Sequence, residues 1–140
     1  MEVRYKIPDK KKALDLIESA KKEIEFTFSL LVNDKSSNTI VKNIYESFRM
    51  LGEASLINRG IEPQDHVICI SELLDFNVST LRPLNLIEKL RKLRHNINYN
   101  GYRADVEEAK ESLSIAKSCF KVLFNEINQN ITQNKKGGKV

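Results

Sequence analysis

Apolar residues recur at spacings of three and four along most of this chain, and that spacing places them on one face of an α-helix. The pattern is clearest near the C-terminus, in the series Val106, Ala109, Leu113, Ala116, Phe120, Leu123 and Ile127. Helical periodicity leaves no clear place for strands. The sequence therefore predicts an all-α fold.

Five helices are expected, four of them long. The first has an apolar face made of Leu14, Ile17, Ala20, Ile24, Phe28 and Leu31. Capping residues, glycines and prolines mark the helix ends. We expect helices from residues 8–9 to 33–34, from 36–37 to 60, over 63–75, from 80–83 to 101, and from 106 to 130. This set predicts an up-and-down four-helix bundle with an additional short helix.

Length and charge set the domain organisation. A chain of 140 residues suits one domain, which we expect over residues 1–130, followed by a flexible basic tail over 131–140. The net charge of +4 permits an acidic partner such as nucleic acid. The longest apolar stretch, residues 26–32, is far shorter than the ~20 residues that span a bilayer. A cytoplasmic protein without membrane association is therefore expected.

The chain lacks the sequence motifs of several kinds of site. Cys69 and Cys119 have neither a CxxC partner nor histidines at ligand spacing, so we expect buried structural thiols and no metal site. There is no glycine-rich phosphate loop, no GxSxG motif and no di-iron carboxylate–histidine set. We therefore expect no cofactor. His66 and His95 are the two imidazoles available for acid–base chemistry.

Residues 89–102 (KLRKLRHNINYNGY) combine basic side chains with a polar cluster. On a helical wheel Arg94 lies about 40° from Leu90, inside the apolar face, where a guanidinium needs a partner. The polar cluster beside it consists of Asn96, Asn98, Tyr99, Asn100 and Tyr102. Such a cluster suits recognition of phosphates and bases. The alternative is structural, with the arginine methylenes packed in the core and the polar residues closing the helix.

Two stretches of the sequence resemble the HEPN family, the higher eukaryotes and prokaryotes nucleotide-binding domains. They are residues 60–66 (GIEPQDH) and residues 93–102 (LRHNINYNGY), and the resemblance in helix order covers about residues 10–128. The resemblance implies a motif of one arginine and one histidine on the same helix. It also implies that two subunits bring their two copies of this motif together in a shared cleft. Active members of the family are metal-independent ribonucleases, and many are toxins paired with a minimal nucleotidyltransferase.

The resemblance assigns roles to residues of the fourth helix. Arg94 takes the position of the family arginine, His95 the adjoining polar position, and Tyr99 the position of the family histidine, so these three are the candidate catalytic residues. Candidate nucleic-acid-binding residues are Arg91, Asn98 and Tyr102. A phenol with a pKa near ~10 is a poor base at pH 7, so Tyr99 favours binding over catalysis.

The arrangement of these residues leaves alternatives open. Tyr99 lies about 140° from Arg94 on a straight helix, so the motif converges only if the helix ends or bends between them. Arg91 and His95 share one face without a bend and are a second candidate pair. The tyrosine that some partner nucleotidyltransferases modify with adenylate corresponds to Gly101, and Tyr102 is one residue late. His66 is expected to have a structural role.

Two functions follow as hypotheses. The first is a homodimeric HEPN-like protein that binds RNA or nucleotides, with weak or degenerate metal-independent ribonuclease activity in a toxin–antitoxin type of system. The second is a non-catalytic protein-interaction module that partners a minimal nucleotidyltransferase. A homodimer is expected because a second copy supplies polar partners to an arginine that lies among leucines.

Overall fold

The computed structural model describes residues 2–133, which form five α-helices. They are α1 (Lys10–Phe28), α2 (Ser37–Asn58), α3 (His66–Leu74), α4 (Ile87–Tyr99) and α5 (Val106–Gln133). A single 3₁₀ turn, Leu84–Leu86, leads into α4. Extended pairing among the described residues is limited to one antiparallel bridge, between Tyr5 and Ile61. The predicted all-α helical bundle is confirmed.

Helix α2 is the centre of the bundle and contacts each of the other four α-helices. Its inward-facing side chains are almost completely buried, as the spacing of its apolar residues predicts; they include Ile40, Val41, Ile44, Phe48 and Leu51. Burial of each such side chain stabilises the fold by about 1.5–3 kcal/mol. Partners on α5 include Phe120, whose ring meets Phe48 edge to face at 5.7 Å.

Helix α1 is shorter than predicted. It ends at Phe28 rather than near residue 33, because the Ser29 backbone N–H closes the last turn on the Phe26 carbonyl. The predicted apolar face is correct for its middle turns but wrong at its end, where Phe28 is 39% exposed and Leu31 82% exposed. Thr27 is buried there instead.

Two other helix starts also differ from the prediction. α3 begins at His66 rather than at residue 63, because the Asp65 carboxylate accepts a hydrogen bond from the Ile68 backbone N–H and caps the helix. α4 begins at Ile87 rather than at residues 80–83, because the Pro83 backbone is extended and a 3₁₀ turn precedes the helix. The end of α4 is as expected, since Gly101 has a φ of 68°, a left-handed conformation that favours glycine.

The C-terminal boundary of the bundle lies beyond the predicted residue 130. α5 continues to Gln133, and Ile131 is completely buried in the core. The predicted flexible tail therefore does not begin at residue 131, and its remainder, residues 134–140, lies outside the described residues. Cys69 and Cys119 are both buried free thiols, as expected. Within residues 2–133 no helix is long and apolar enough to cross a bilayer.

Two contacts fix the start of α3, which lies beside the candidate site. The extended N-terminal segment holds the preceding loop through hydrogen bonds from Lys6 N–H to the Gly60 carbonyl and from Glu62 N–H to the Arg4 carbonyl, at 2.9 and 2.8 Å. Gly52 of α2 allows close approach of the α3 backbone, since an added Cβ would lie 2.7 Å from the Cys69 carbonyl carbon. α3 is therefore held tightly against α2.

Candidate functional site

A cleft of about 420 Å³ opens between α2, the start of α3 and the second half of α4. It is lined by Tyr45, Asp65, His66, Val67, Arg91, Arg94, His95 and Tyr99. Four of the six residues predicted for the site are therefore in one cleft: Arg91, Arg94, His95 and Tyr99. The other four lining residues come from α2 and from the start of α3. Three elements, rather than α4 alone, build the site.

Tyr45 contributes the innermost aromatic ring of the cleft. The ring centroid lies 5.8 Å from that of His66, and the Arg94 guanidinium carbon lies 5.5 Å from it. Tyr45 is completely buried, and its hydroxyl has no hydrogen-bond partner within the described part of the chain. Burial raises the pKa of this phenol to about 12, so it stays neutral at physiological pH.

Arg94 places a cationic group in the cleft without a carboxylate partner. No ion pair involves this guanidinium among residues 2–133, whereas Arg49 and Arg91 each pair with glutamates of their own helix. The guanidinium instead contacts the Tyr45 ring. With the Asn98 amide oxygen turned toward it, that oxygen accepts hydrogen bonds from Nε and Nη2 at 3.2 and 3.1 Å. The charge of Arg94 is therefore available to an anion.

Arg91 also lines the cleft, but its charge is largely matched by a neighbour. Its Nη2 donates to Glu88 Oε2 at 2.6 Å, and Nε donates to both oxygens of the same carboxylate at 3.1 Å. These hydrogen bonds raise the pKa of Arg91 and lower that of Glu88. Of the two α4 arginines in the cleft, Arg94 is therefore the better candidate for binding an anion.

His95 and Tyr99 form the outer aromatic edge of the cleft. Their rings are 4.9 Å apart, and Tyr99 is 67% exposed. α4 does not end between Arg94 and Tyr99, one of the two ways in which we expected the motif to converge, since the helix continues to Tyr99. Both side chains nevertheless line the same cleft from one unbroken helix.

His66 is the second imidazole of the cleft and the first residue of α3. It packs against Tyr45, as a structural residue would, and it also faces the cleft. Burial lowers the pKa of His66, and the cations of Arg49 and Arg94 lower it further. Glu46 and Asp65 oppose that shift more weakly. A neutral imidazole with a free lone pair is therefore expected at pH 7.

The remaining predicted residues, Asn98 and Tyr102, do not line the cleft. Asn98 contributes indirectly through its contact with Arg94. The Tyr102 hydroxyl donates to both carboxylate oxygens of Glu108 at 2.8 Å, and the same carboxylate accepts from Asp105 N–H at 3.0 Å. Tyr102 therefore helps to close the start of α5 in this structure.

A larger cavity of about 780 Å³ lies near the end of α2 and the ends of α3 and α5. Its buried carboxylate, Glu72, accepts hydrogen bonds from Ser55 Oγ at 2.6 Å and from Arg59 Nε and Nη2 at 3.0 Å. The charge of Glu72 is therefore matched within the fold. The α4 cleft is the better candidate site because, among residues 2–133, its Arg94 guanidinium has no ion-pair partner and its buried Tyr45 hydroxyl has no hydrogen-bond partner.

The cleft combines a guanidinium, two imidazoles and exposed aromatic surface. Guanidinium groups bind phosphate through paired hydrogen bonds, and aromatic rings stack on nucleobases. Imidazole supplies a proton acceptor or donor near neutral pH. Within residues 2–133, no group of three or more histidine, cysteine, aspartate or glutamate side chains is placed to hold a metal ion. In comparisons with known proteins, no family model, no curated protein and no solved structure matches this chain.

Proposed function

We propose that this protein is a HEPN-like RNA- or nucleotide-binding protein whose ligand phosphate binds Arg94 in the α4 cleft. The observation that supports this most directly is the Arg94 guanidinium, which lies in the cleft wall and makes no ion pair within residues 2–133. A partly buried cation without an anion favours an anionic ligand, because the ligand supplies the missing charge partner.

The surroundings of Arg94 favour a nucleotide over a simple anion. His95 and Tyr99 are exposed and line the same cleft as the guanidinium, and exposed aromatic rings stack on bases irrespective of sequence. The cleft volume of about 420 Å³ falls within the range of about 300–1,000 Å³ that small-ligand sites occupy. One nucleotide unit of an RNA strand fits this combination of charge, aromatic surface and size.

A homodimer is part of the proposal. Val67 and Tyr99, two apolar or aromatic residues of the cleft lining, are 48% and 67% exposed. A second copy that packs beside Val67 would leave Tyr99 facing the shared cleft and place two Arg94 side chains around one RNA backbone, as the HEPN resemblance implies. Multi-angle light scattering on the full chain measures this directly, and we expect the mass of a dimer at micromolar concentration.

The main test measures RNA affinity by fluorescence anisotropy with a labelled single-stranded RNA. We expect Arg94→Ala to weaken binding by about 10- to 100-fold, since a hydrogen bond to a charged group contributes about 1.5–3 kcal/mol. The matched control is Lys89→Ala, which removes the same charge from the same helix at a side chain outside the cleft. The control should change affinity by less than about threefold, in line with a distant surface charge.

Arg94→Lys separates charge from geometry at the same position. A lysine keeps the positive charge but loses the planar fork that binds two phosphate oxygens, so we expect an intermediate affinity. Equal losses in Arg94→Ala and Lys89→Ala would show that binding depends on overall charge and would contradict the proposal. Undetectable RNA binding by the wild-type chain would also contradict it.

The alternative function is a non-catalytic module that binds a protein such as a minimal nucleotidyltransferase. It is favoured by the apolar residues at the end of α1, where Phe26 is 57% exposed and Leu31 82% exposed. Exposed apolar clusters mark protein interfaces more often than nucleic-acid sites. The test measures binding of a purified minimal nucleotidyltransferase to the wild type and to Phe26→Ala. Tight binding to the wild type and none to the variant would support this alternative, provided that the wild type does not bind RNA.

A further inference from the structure

The cleft contains an imidazole that the α4 motif does not supply. His66 comes from α3, and its ring packs on the same Tyr45 ring that Arg94 contacts from α4. The imidazole and the guanidinium therefore pack against the same aromatic ring, and both line the cleft. Position 99, where the resemblance places the family histidine, presents a phenol at the outer edge instead.

The ring nitrogens of His66 are free to bind a ligand. Neither nitrogen makes a hydrogen bond to another residue within the described part of the chain, although the ring is partly buried. Burial and four charged groups shift its pKa: Arg49 and Glu46 on α2, Asp65 at the start of α3, and Arg94 on α4. The other titratable side chains that line the cleft are Tyr45, Arg91, His95 and Tyr99. The cations among the nearest groups favour the neutral imidazole, which is the form that accepts a proton.

We propose that His66 is the proton-accepting residue of a metal-independent RNA cleavage reaction in this cleft, in place of the histidine that position 99 lacks. This inference rests on the proposed function, because it requires an RNA phosphate bound at Arg94. It differs from the motif-based assignment in taking the catalytic imidazole from α3 rather than from α4.

The proposed step is an internal transfer within RNA. The 2′-hydroxyl loses its proton to His66, and the 2′-oxygen forms a bond to the adjacent phosphorus. The bond from phosphorus to the 5′-oxygen breaks, and that oxygen takes a proton from solvent water. The resulting hydroxide takes the proton from the His66 imidazolium, which restores the neutral imidazole. Arg94 offsets the negative charge that develops on the phosphate oxygens. The products are a 2′,3′-cyclic phosphate and a 5′-hydroxyl end, so no metal ion or oxidant enters the balance.

The test uses the full chain in EDTA with an RNA labelled at one end with a fluorophore and at the other with a quencher. We expect the wild type to cleave RNA but not the same sequence made of DNA, which lacks the 2′-hydroxyl. His66→Gln should lower the single-turnover rate by about 100-fold or more, the usual effect of removing a general base. RNA affinity should change by less than about threefold, and Lys89→Ala should behave as the wild type.

The pH profile identifies the group. Because the pKa of His66 is lowered from 6.5, cleavage by the wild type should fall only when the pH falls below that value. That acid limb should be absent in His66→Gln and present in Tyr99→Phe. A circular dichroism melt of each variant shows that the fold is intact, and His66→Ala serves as a second substitution if glutamine disturbs the start of α3.

The outcomes separate this inference from the function on which it rests. RNA binding without cleavage by the wild type would overturn the role of His66 and leave the binding function standing. Full cleavage by His66→Gln, with loss in His95→Gln or Tyr99→Phe, would assign the proton to α4 and also overturn it. Absence of RNA binding by the wild type would contradict the proposed function itself.

Discussion

Tyr45→Phe is expected to make the protein more stable, which is unusual for a substitution at a completely buried position. The Tyr45 hydroxyl has no hydrogen-bond partner within residues 2–133, and a buried polar group without a partner costs about 1–3 kcal/mol. Phenylalanine removes that cost and keeps the ring that contacts His66 and Arg94. The small void left by the oxygen offsets part of the gain. We therefore expect the free energy of unfolding to rise by about 1 kcal/mol.

Urea unfolding of the full chain at pH 7, followed by circular dichroism, measures this change. The urea concentration at the unfolding midpoint should rise, while the slope of the unfolding free energy against urea concentration stays unchanged. The melting temperature should rise by about 4 °C. Tyr102→Phe is the matched control, because its hydroxyl donates to Glu108 at 2.8 Å. That hydrogen bond is exposed to solvent, so the control should be only slightly less stable than the wild type.

The dependence of stability on alkaline pH is a second test of the buried Tyr45 hydroxyl. Burial raises the pKa of Tyr45 from 10.0 to about 12, so between these values the unfolded chain loses the phenol proton while the folded chain keeps it. The wild type therefore loses stability as pH rises from 10 toward 12, and Tyr45→Phe lacks this contribution. The stability difference between variant and wild type should widen with pH. A variant that is less stable at pH 7 by 1 kcal/mol or more would refute the reasoning, as would a difference that stays constant above pH 10.

Two further predictions concern the contacts that hold α3. Gly52→Ala should lower the free energy of unfolding by about 3 kcal/mol, because the overlap with the Cys69 backbone outweighs the ~1 kcal/mol that alanine gains in helix propensity. Thr39→Ala, at an exposed position of the same helix, is the control and should change the free energy of unfolding by less than about 0.7 kcal/mol. Glu72→Ala should lower the free energy of unfolding by about 2–4 kcal/mol, since it removes the acceptor of three hydrogen bonds, two of them from Arg59. Urea unfolding checks both, and a stability equal to that of the wild type would contradict either.

The sequence predicts the fold well where apolar spacing and burial coincide. The apolar residues of α2 and α5 face the core as their spacing indicates, because these helices are packed along nearly their whole length. Prediction fails at element ends. Phe28 and Leu31 continue the apolar spacing of α1, but the chain turns away at Ser29, and nothing in their spacing signals that turn. Residues 2–7 alternate polar and apolar side chains, a pattern typical of a strand, and Tyr5 forms a short antiparallel pairing with Ile61.

The cleft residues on α4 can be predicted from the sequence, because they belong to one helix. Residues that lie three or four positions apart on one helix are close in space whatever the tertiary fold. The pairs Arg91–Arg94, Arg91–His95 and His95–Tyr99 have this spacing and are therefore neighbours through local geometry alone. The α2 and α3 half was not accessible, because its proximity depends on how three helices cross, and crossing geometry is set by packing along the whole interface.

Tyr45 shows why packing also decides the chemistry of the site. Tyr45 lies on α2 next to Ile44, and its complete burial alone indicates a core residue without a function. The close approach of α3 at Gly52 brings His66 onto its ring, and the path of α4 brings Arg94 onto it. On α4 a tyrosine stands at position 99, where the HEPN resemblance leads us to expect a histidine. In three dimensions the cleft contains an imidazole and Arg94 around the Tyr45 ring, because α3 supplies His66.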